Sequence, residues 1–547
     1  MPADVSPSRL AEEYGYRLSE LRKSCILSAV LSVAILLLAL PEGSLIPFLQ
    51  GLIPGVILEG LSLALFLVCA FASRDILTEG AVALISKAPD ANSLALCAAA
   101  FTVLDGASLL LGLRAESMPL CAPCALVLTF RLFAQYCMKK GKRDAAQVAA
   151  SAPQHYLVTQ DTEVFNGKSS LRKWLSVPRG FGSQLRTQSS QDRRFQRLSP
   201  VLLIACLVFA LLTTVAHHQP RLIFWSLSAL FTVSATLSAG LGSDLPFLLL
   251  GNRLGKLGAA IAGWPGAQAG KSCRYALLSD FDLYPPGTVT VTAINLYNNA
   301  VQERVISLTA SILRSANSGL FYPLDQLSRK TRAGYVQLTN LTIEEGGIRA
   351  QSQNQEVMVG NSEYMSRMGV ILPEGVKSRD VLYCAADKAL LGTLTLQYTI
   401  LPSLGPSLET MINGKLSPIL GTRDFNVSPH RLRLRNQFAQ EELIFPPLGQ
   451  RLHLSKPAAL HGPDILAILS REGVAPYAQA VVGADRLRRA VRFNGVFTRV
   501  SACVGVVLAA VLSSAGALSA MCALSLSLYL LLWTVPVLLL SLWVLQY

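Results

Sequence analysis

Charge is what this chain has least of. Only 15% of its 547 residues are Asp, Glu, Lys or Arg, against about a quarter in an ordinary soluble domain. With 51% hydrophobic residues and a mean hydropathy of +0.42, that scarcity argues against a soluble protein and predicts one that lives in a bilayer. Acids are the scarcer sign: 34 Asp and Glu stand against 48 Lys and Arg, a formal charge of +14. No recognition motif accompanies the excess, so no nucleic-acid partner is expected. The positive charge lies mostly on membrane-flanking segments, where anionic lipid attracts it. Eleven cysteines are scattered mostly through apolar stretches, as small apolar residues rather than a disulfide framework. No internal repeat is present. No cleavable leader is expected either, because the first apolar run follows Glu12, Glu13, Glu20 and Lys23 without a small-residue cleavage site.

What is present are eight apolar runs, at 24–40, 49–72, 91–113, 119–138, 201–216, 222–241, 500–515 and 518–544. Each approaches the roughly 20 residues that cross a bilayer. The loop 139–200 carries twelve Lys and Arg against four acids. The positive-inside rule therefore places it, both termini and 243–499 in the cytoplasm of a multi-pass protein of the plasma or inner membrane. The large region alternates β-branched runs with helical patterns, which predicts an α/β layer. "AVQERVISLTASILRSA" reads as an amphipathic helix, and "DVLYCAADKALLGTLTLQYTI" as a strand pair turning at Asp387–Lys388.

Within that region "ALLSDFDLYPPGTVTVTAI" leads a buried strand into Asp280 and Asp282, the usual display of a phosphoryl-transfer aspartate. Downstream come "EEGGIRAQSQNQEVMVGNSEYMSRMGV" at 344–370, "ADKALLGTLTLQYTI", "ILGTRDFN" at 419–426 and "VVGADRLRRAVRFNGVFTRV". In this order, and with this arrangement of helices and loops, the chain resembles the heavy-metal-transporting branch of the P-type ATPases. The resemblance implies about eight membrane helices and an α/β, HAD-like cytoplasmic domain carrying an inserted α+β nucleotide-domain-like module. It implies a cytoplasmic segment at 1–23, membrane helices at 24–138, 201–242 and 498–547, and a reduced actuator-like loop at 139–200. The phosphorylation-type domain would be 243–295 with 398–497, and the insert 296–397. If the ancestral activity survives, ATP and Mg2+ are its cofactors; otherwise none is expected.

The departures from the family point to lost chemistry. The family's phosphorylated Asp lies in DKTGT, but Asp282 precedes Leu283, Tyr284, Pro285 and Pro286. Two prolines remove amides that would cradle phosphoryl oxygens, and the charge-neutralising Lys is gone. The adenine-packing His-Pro reads Tyr322-Pro323. Glu345 replaces the first glycine of Gly-x-Gly, although Gly347 and the later Gly360 of the Val-Gly-Asn turn remain. In the Thr-Gly-Asp turn Thr422 and Asp424 stand around Arg423. The GDGxND segment and the actuator's Thr-Gly-Glu are missing, and the transport Cys-Pro-Cys falls on Ser238-Ala239-Gly240, which offers no thiolate to a soft metal.

These residues predict a regulatory, scaffolding or ligand-sensing membrane protein, with a membrane protein or a metal ion as its partner beside the lipid. A cation pump built around Asp282 is the alternative. A membrane-bound phosphatase is a second, with Asp280 as nucleophile, Asp282 as acid and base, Thr422 on phosphate and Lys456 as charge partner. Cys121 and Cys124 form the one CxxC, as a metal or dithiol pair (with His217 and His218 on the same side) or simply as a helix start. Asp105, Glu59 and Arg131 lie inside apolar runs, where charges pair with one another or line a path.

Overall fold

The computed structural model describes residues 5–40, 55–113, 118–216, 220–373, 380–399, 401–436, 443–456 and 461–547. Two compact units divide the chain: Met1–Ala150, Phe181–Lys256 and Gly483–Tyr547 form one, and Ser151–Gly180 with Leu257–Val482 the other.

The first unit is helical. Among the described residues, six helices are long and apolar enough to cross a membrane: Pro7–Ala39, Ala91–Leu110, Cys121–Ala150, Phe181–Val215, Val474–Ser514 and Ala523–Trp543. Helices Ile57–Ala72 and Arg74–Ile85 are together apolar enough to cross as well, but they are bent by 73° at their break, the geometry of a broken span or of a re-entrant loop. The run expected as one helix at 222–241 is broken instead. Helix Ile223–Ser234 ends, 235–240 turns, and helix Leu241–Lys256 begins. Gly240 sits at φ +75° in that turn, a conformation that costs glycine little and other residues more. Leucines and valines such as Val30, Leu212, Val511 and Leu532 face outward, while Ser28, Ser32 and Thr129 bond to one another inside. An apolar exterior around hydroxyl-lined contacts is the pattern of a body solvated by lipid.

The second unit holds two six-stranded sheets. Its strands are β1 (Tyr156–Phe165), β2 (Lys168–Leu175), β3 (Ala259–Ile261), β4 (Tyr275–Leu278), β5 (Val289–Leu296) and β6 (Thr339–Glu344). The rest are β7 (Gly347–Ser352), β8 (Gln355–Gly360), β9 (Val381–Ala386), β10 (Ala389–Tyr398), β11 (Ser417–Leu420) and β12 (Ile465–Leu469). The inserted module is the antiparallel sheet β5-β10-β9-β8-β7-β6, with helices Gln302–Ser315 and Phe321–Thr331. Asp387 and Lys388, both at positive φ, make the two-residue β9–β10 turn read from the sequence.

The other sheet runs β11-β4-β2-β1-β12-β3. The stretch 139–200 supplies two of its strands. Its hairpin, β1 and β2, lies between β4 and β12 in the main sheet, with β2 parallel to β4 and β1 antiparallel to β12. The reason is visible in pairing rather than hydropathy. Arg172 is buried beside Asp161, and Lys173 beside Asp282, so residues that read as polar surface are interior strand residues with partners.

Candidate functional site

Register builds the site. β4 and β11 are parallel, with Leu278 opposite Leu420, and Gly421 N–H donates to the Leu278 carbonyl at 2.8 Å. The residues that follow the two strands, Ser279–Asp282 and Thr422–Asp424, therefore meet. β2 pairs with β4 at Ser170–Tyr275 and Leu171–Ala276, which carries Lys173 to the same end of the sheet.

Asp280 is buried and faces only donors. Its Oδ1 accepts from the Thr422 hydroxyl, from Arg423 N–H at 3.1 Å and from Asp424 N–H at 3.3 Å. Its Oδ2 accepts from Gly319 N–H at 2.8 Å and Arg423 N–H at 3.3 Å. Burial pushes its pKa up, and these hydrogen bonds hold it partly back. Such a carboxylate has no open face for an incoming phosphorus atom.

Asp282 is used differently. Ser279, Asp280 and Asp282 begin a one-turn helix, and the Asp282 carboxylate closes a capping box: Oδ2 accepts from Ser279 N–H and from its hydroxyl, each at 2.8 Å. Oδ1 is ion-paired to Lys173 Nζ, with both side chains almost fully buried. Lys173 also lies 5.3 Å over the Tyr156 ring. The Tyr156 hydroxyl donates to Glu472, and burial with that carboxylate holds its pKa well above the usual phenol range. The prolines after Asp282 form a turn rather than a phosphate cradle: Thr288 N–H donates to the Pro285 carbonyl at 3.1 Å, with Gly287 at φ +91°.

Lys456, expected as charge partner, is exposed, and its carbonyl accepts from Arg172 at 3.1 Å. The cation on Asp282 is Lys173, which the sequence reading missed. Asp424 accepts from Tyr398 Oη and from Asn426 N–H, both at 2.8 Å. Arg423, in place of a glycine, reaches across the site. It donates to the Ala316 carbonyl at 2.8 Å and to Ser455 Oγ at 2.7 Å, and desolvation lowers its pKa.

The nucleotide-domain remnants are likewise filled from within. Gly347 and Gly360 both face the buried ring of Tyr364, and a Cβ at either would strike it. Glu345 is held by both oxygens to Arg451 Nη2, at 2.6 and 2.5 Å, and Arg451 also donates to Pro446 and Thr422 carbonyls at 3.1 and 3.4 Å. The substituted glycine thus ties the insert to the turn that carries Thr422. Tyr322 is half-exposed with its ring edge-on to Phe281 at 5.2 Å, and Pro323 is buried.

These residues do not fit ATP and Mg2+. A magnesium ion needs open carboxylate oxygens, and those of Asp280 and Asp282 are spent on protein donors and Lys173. Among the described residues no three His, Cys, Asp or Glu side chains gather into a metal-binding group. Cys121 and Cys124 are buried in the first unit, reduced and without a third ligand among the described residues; His217 and His218 lie outside those residues. Arg131 pairs with neither Asp105 nor Glu59 but bonds Asn92 and the Ala239 carbonyl.

No family model matches the sequence, and no curated protein is similar to it. Solved structures are. A zinc-transporting PIB-type ATPase in its E2.Pi state is similar over 94% of this chain and 99% of its own, at 12% identity and a TM-score of 0.44. A zinc-transporting PIB-type ATPase in the E2P state matches over 90% and 99%, at 14% identity and a TM-score of 0.38. The N-domain of a copper-transporting P-type ATPase is similar over 20% of this chain and all of that one, at 18% identity and a TM-score of 0.19. It is to heavy-metal-transporting P-type ATPases that the chain is similar along most of its length.

Proposed function

We propose that the chain is a catalytically degenerate relative of the heavy-metal P-type ATPases, a multi-pass membrane protein that works by binding rather than by pumping. Its role would be regulatory, scaffolding or ligand-sensing. The observation that carries this reading is the state of the two candidate nucleophiles: one carboxylate is enclosed by a hydroxyl and three backbone amides, the other by a helix cap and a buried lysine. Phosphoryl transfer relies on positioning and on preorganised positive charge around the moving group. Here that charge is bound to the protein's own acids. By the positive-inside rule both termini and the sheet-bearing unit are cytoplasmic, in a plasma or inner membrane.

Nucleotide binding tests the reading directly. A ligand that binds the native state at a hundredfold excess over its Kd stabilises by about 2.7 kcal/mol. ATP or ADP with magnesium is expected to leave the thermal unfolding of the purified chain unchanged. A concentration-dependent rise would restore the nucleotide site.

A further inference from the structure

In the helical unit, the break between helices Ile223–Ser234 and Leu241–Lys256 opens inside an apolar run, where a carbonyl freed from its helix must find another partner. Discontinuous membrane helices meet that need by coordinating ions with the freed carbonyls. At this break the partner is a side chain: Arg131 Nη1 donates to the Ala239 carbonyl at 2.6 Å. We propose that the break is a cation site which the chain fills with its own guanidinium, so that a tethered charge stands where a free ion would bind.

The surroundings are built for that occupant. Asn92 Oδ1 accepts from Arg131 Nε at 2.9 Å and from Nη2 at 2.5 Å. Behind it Asn92 Nδ2 donates to Glu79 Oε2 at 3.0 Å, and Gln135 Nε2 donates to Glu79 Oε1 at 2.7 Å. The guanidinium thus sees only oxygen acceptors, with a carboxylate one residue behind, a set suited to a hard cation and not to a soft metal. Two glycines make the room. A Cβ at Gly240 would stand 2.8 Å from Arg131 Nη1, so that position serves the guanidinium as well as the turn. A Cβ at Gly80 would strike the Asn92 carbonyl, and its absence lets Glu79 approach Asn92. Asp192 and Asp244 also face the positive charges of Arg131 and Lys142. Removing the guanidinium would leave oxygen acceptors around an arginine-shaped gap, which a small free cation of matching chemistry should re-enter.

The test is chemical rescue in the full-length protein, followed by reaction of buried thiols on heating; most of the free cysteines lie in the helical unit. Wild type and Arg131→Ala are titrated with guanidinium, sodium and potassium chlorides at constant ionic strength. Guanidinium is kept to about 20 mM, far below the molar range that unfolds proteins. Arg131→Ala is expected to melt several degrees lower than wild type and to recover at least half of that loss with guanidinium, while wild type does not respond. If the variant does not accumulate, Arg131→Gln, which keeps bulk without charge, carries the same expectation. A variant as stable as wild type, or one that none of the three cations rescues, overturns the proposal. The substitution and its rescue act at Arg131 in the helical unit, so the result stands or falls separately from the phosphoryl-transfer reading.

Discussion

Lys173→Met is expected to destabilise the sheet-bearing unit by about 3–5 kcal/mol, because it strips the partner from a buried carboxylate. Lys173 and Asp282 are both nearly inaccessible, and the remaining oxygen of Asp282 is committed to its cap. An unpaired Asp282 would have to ionise in the interior or take up a proton. Replacing both residues at once, as Lys173→Met with Asp282→Leu, should recover much of the loss, since apolar pairs of similar volume often substitute for buried ion pairs. The lost capping box sets the remainder, about 1 kcal/mol. Denaturant unfolding of the four proteins forms a double-mutant cycle whose coupling term isolates the pair. Were Asp282 a catalytic group held at a functional cost, its replacement would leave stability unchanged or raise it.

Asp280→Ala is the second large effect. Four buried donors, the Thr422 hydroxyl and the N–H groups of Gly319, Arg423 and Asp424, converge on this one carboxylate. A stranded buried donor costs about 1–3 kcal/mol, and water entering the gap would satisfy some of the four, so a total loss above about 4 kcal/mol is expected. Asp280→Asn should lose less, because its amide oxygen still accepts while its NH2 faces other donors. The same unfolding measurement ranks the three proteins as wild type, then Asn, then Ala. A nucleophile in an open site would give no such order.

Much of the fold was legible because it rests on local signals. Apolar runs and flanking charge gave the membrane helices, and Asp387–Lys388 announced its turn. The end of β4 displays Asp280 and Asp282 as an apolar strand followed by acids and prolines should. The broken helix at 235–240 was hidden because its apolar run continues through the turn; only Gly240 and its small neighbours hinted at it. The site partners were hidden for another reason. Lys173 lies far from Asp282 in the chain and reads as one more basic residue of a positive loop, since hydropathy cannot tell a solvated lysine from one buried against an acid. Lys456, the lysine that the phosphatase reading selected, is exposed. Arg423 and Glu345 could be read as losses of glycine, but the contacts they gain, with Ala316 and Ser455 and with Arg451, depend on which strands become neighbours. Arg131 was visible as an intramembrane charge, yet its partner is a backbone carbonyl, which no sequence pattern marks.

On the proposed reading the two aspartates hold the fold and transfer nothing. Purified protein incubated with magnesium and γ-labelled ATP, quenched in acid, and compared with Asp280→Asn and Asp282→Asn tests it most directly. No acid-stable label is expected in any of the three. Label that disappears only in Asp282→Asn would contradict it and establish a pump, and label lost only in Asp280→Asn would establish a phosphatase.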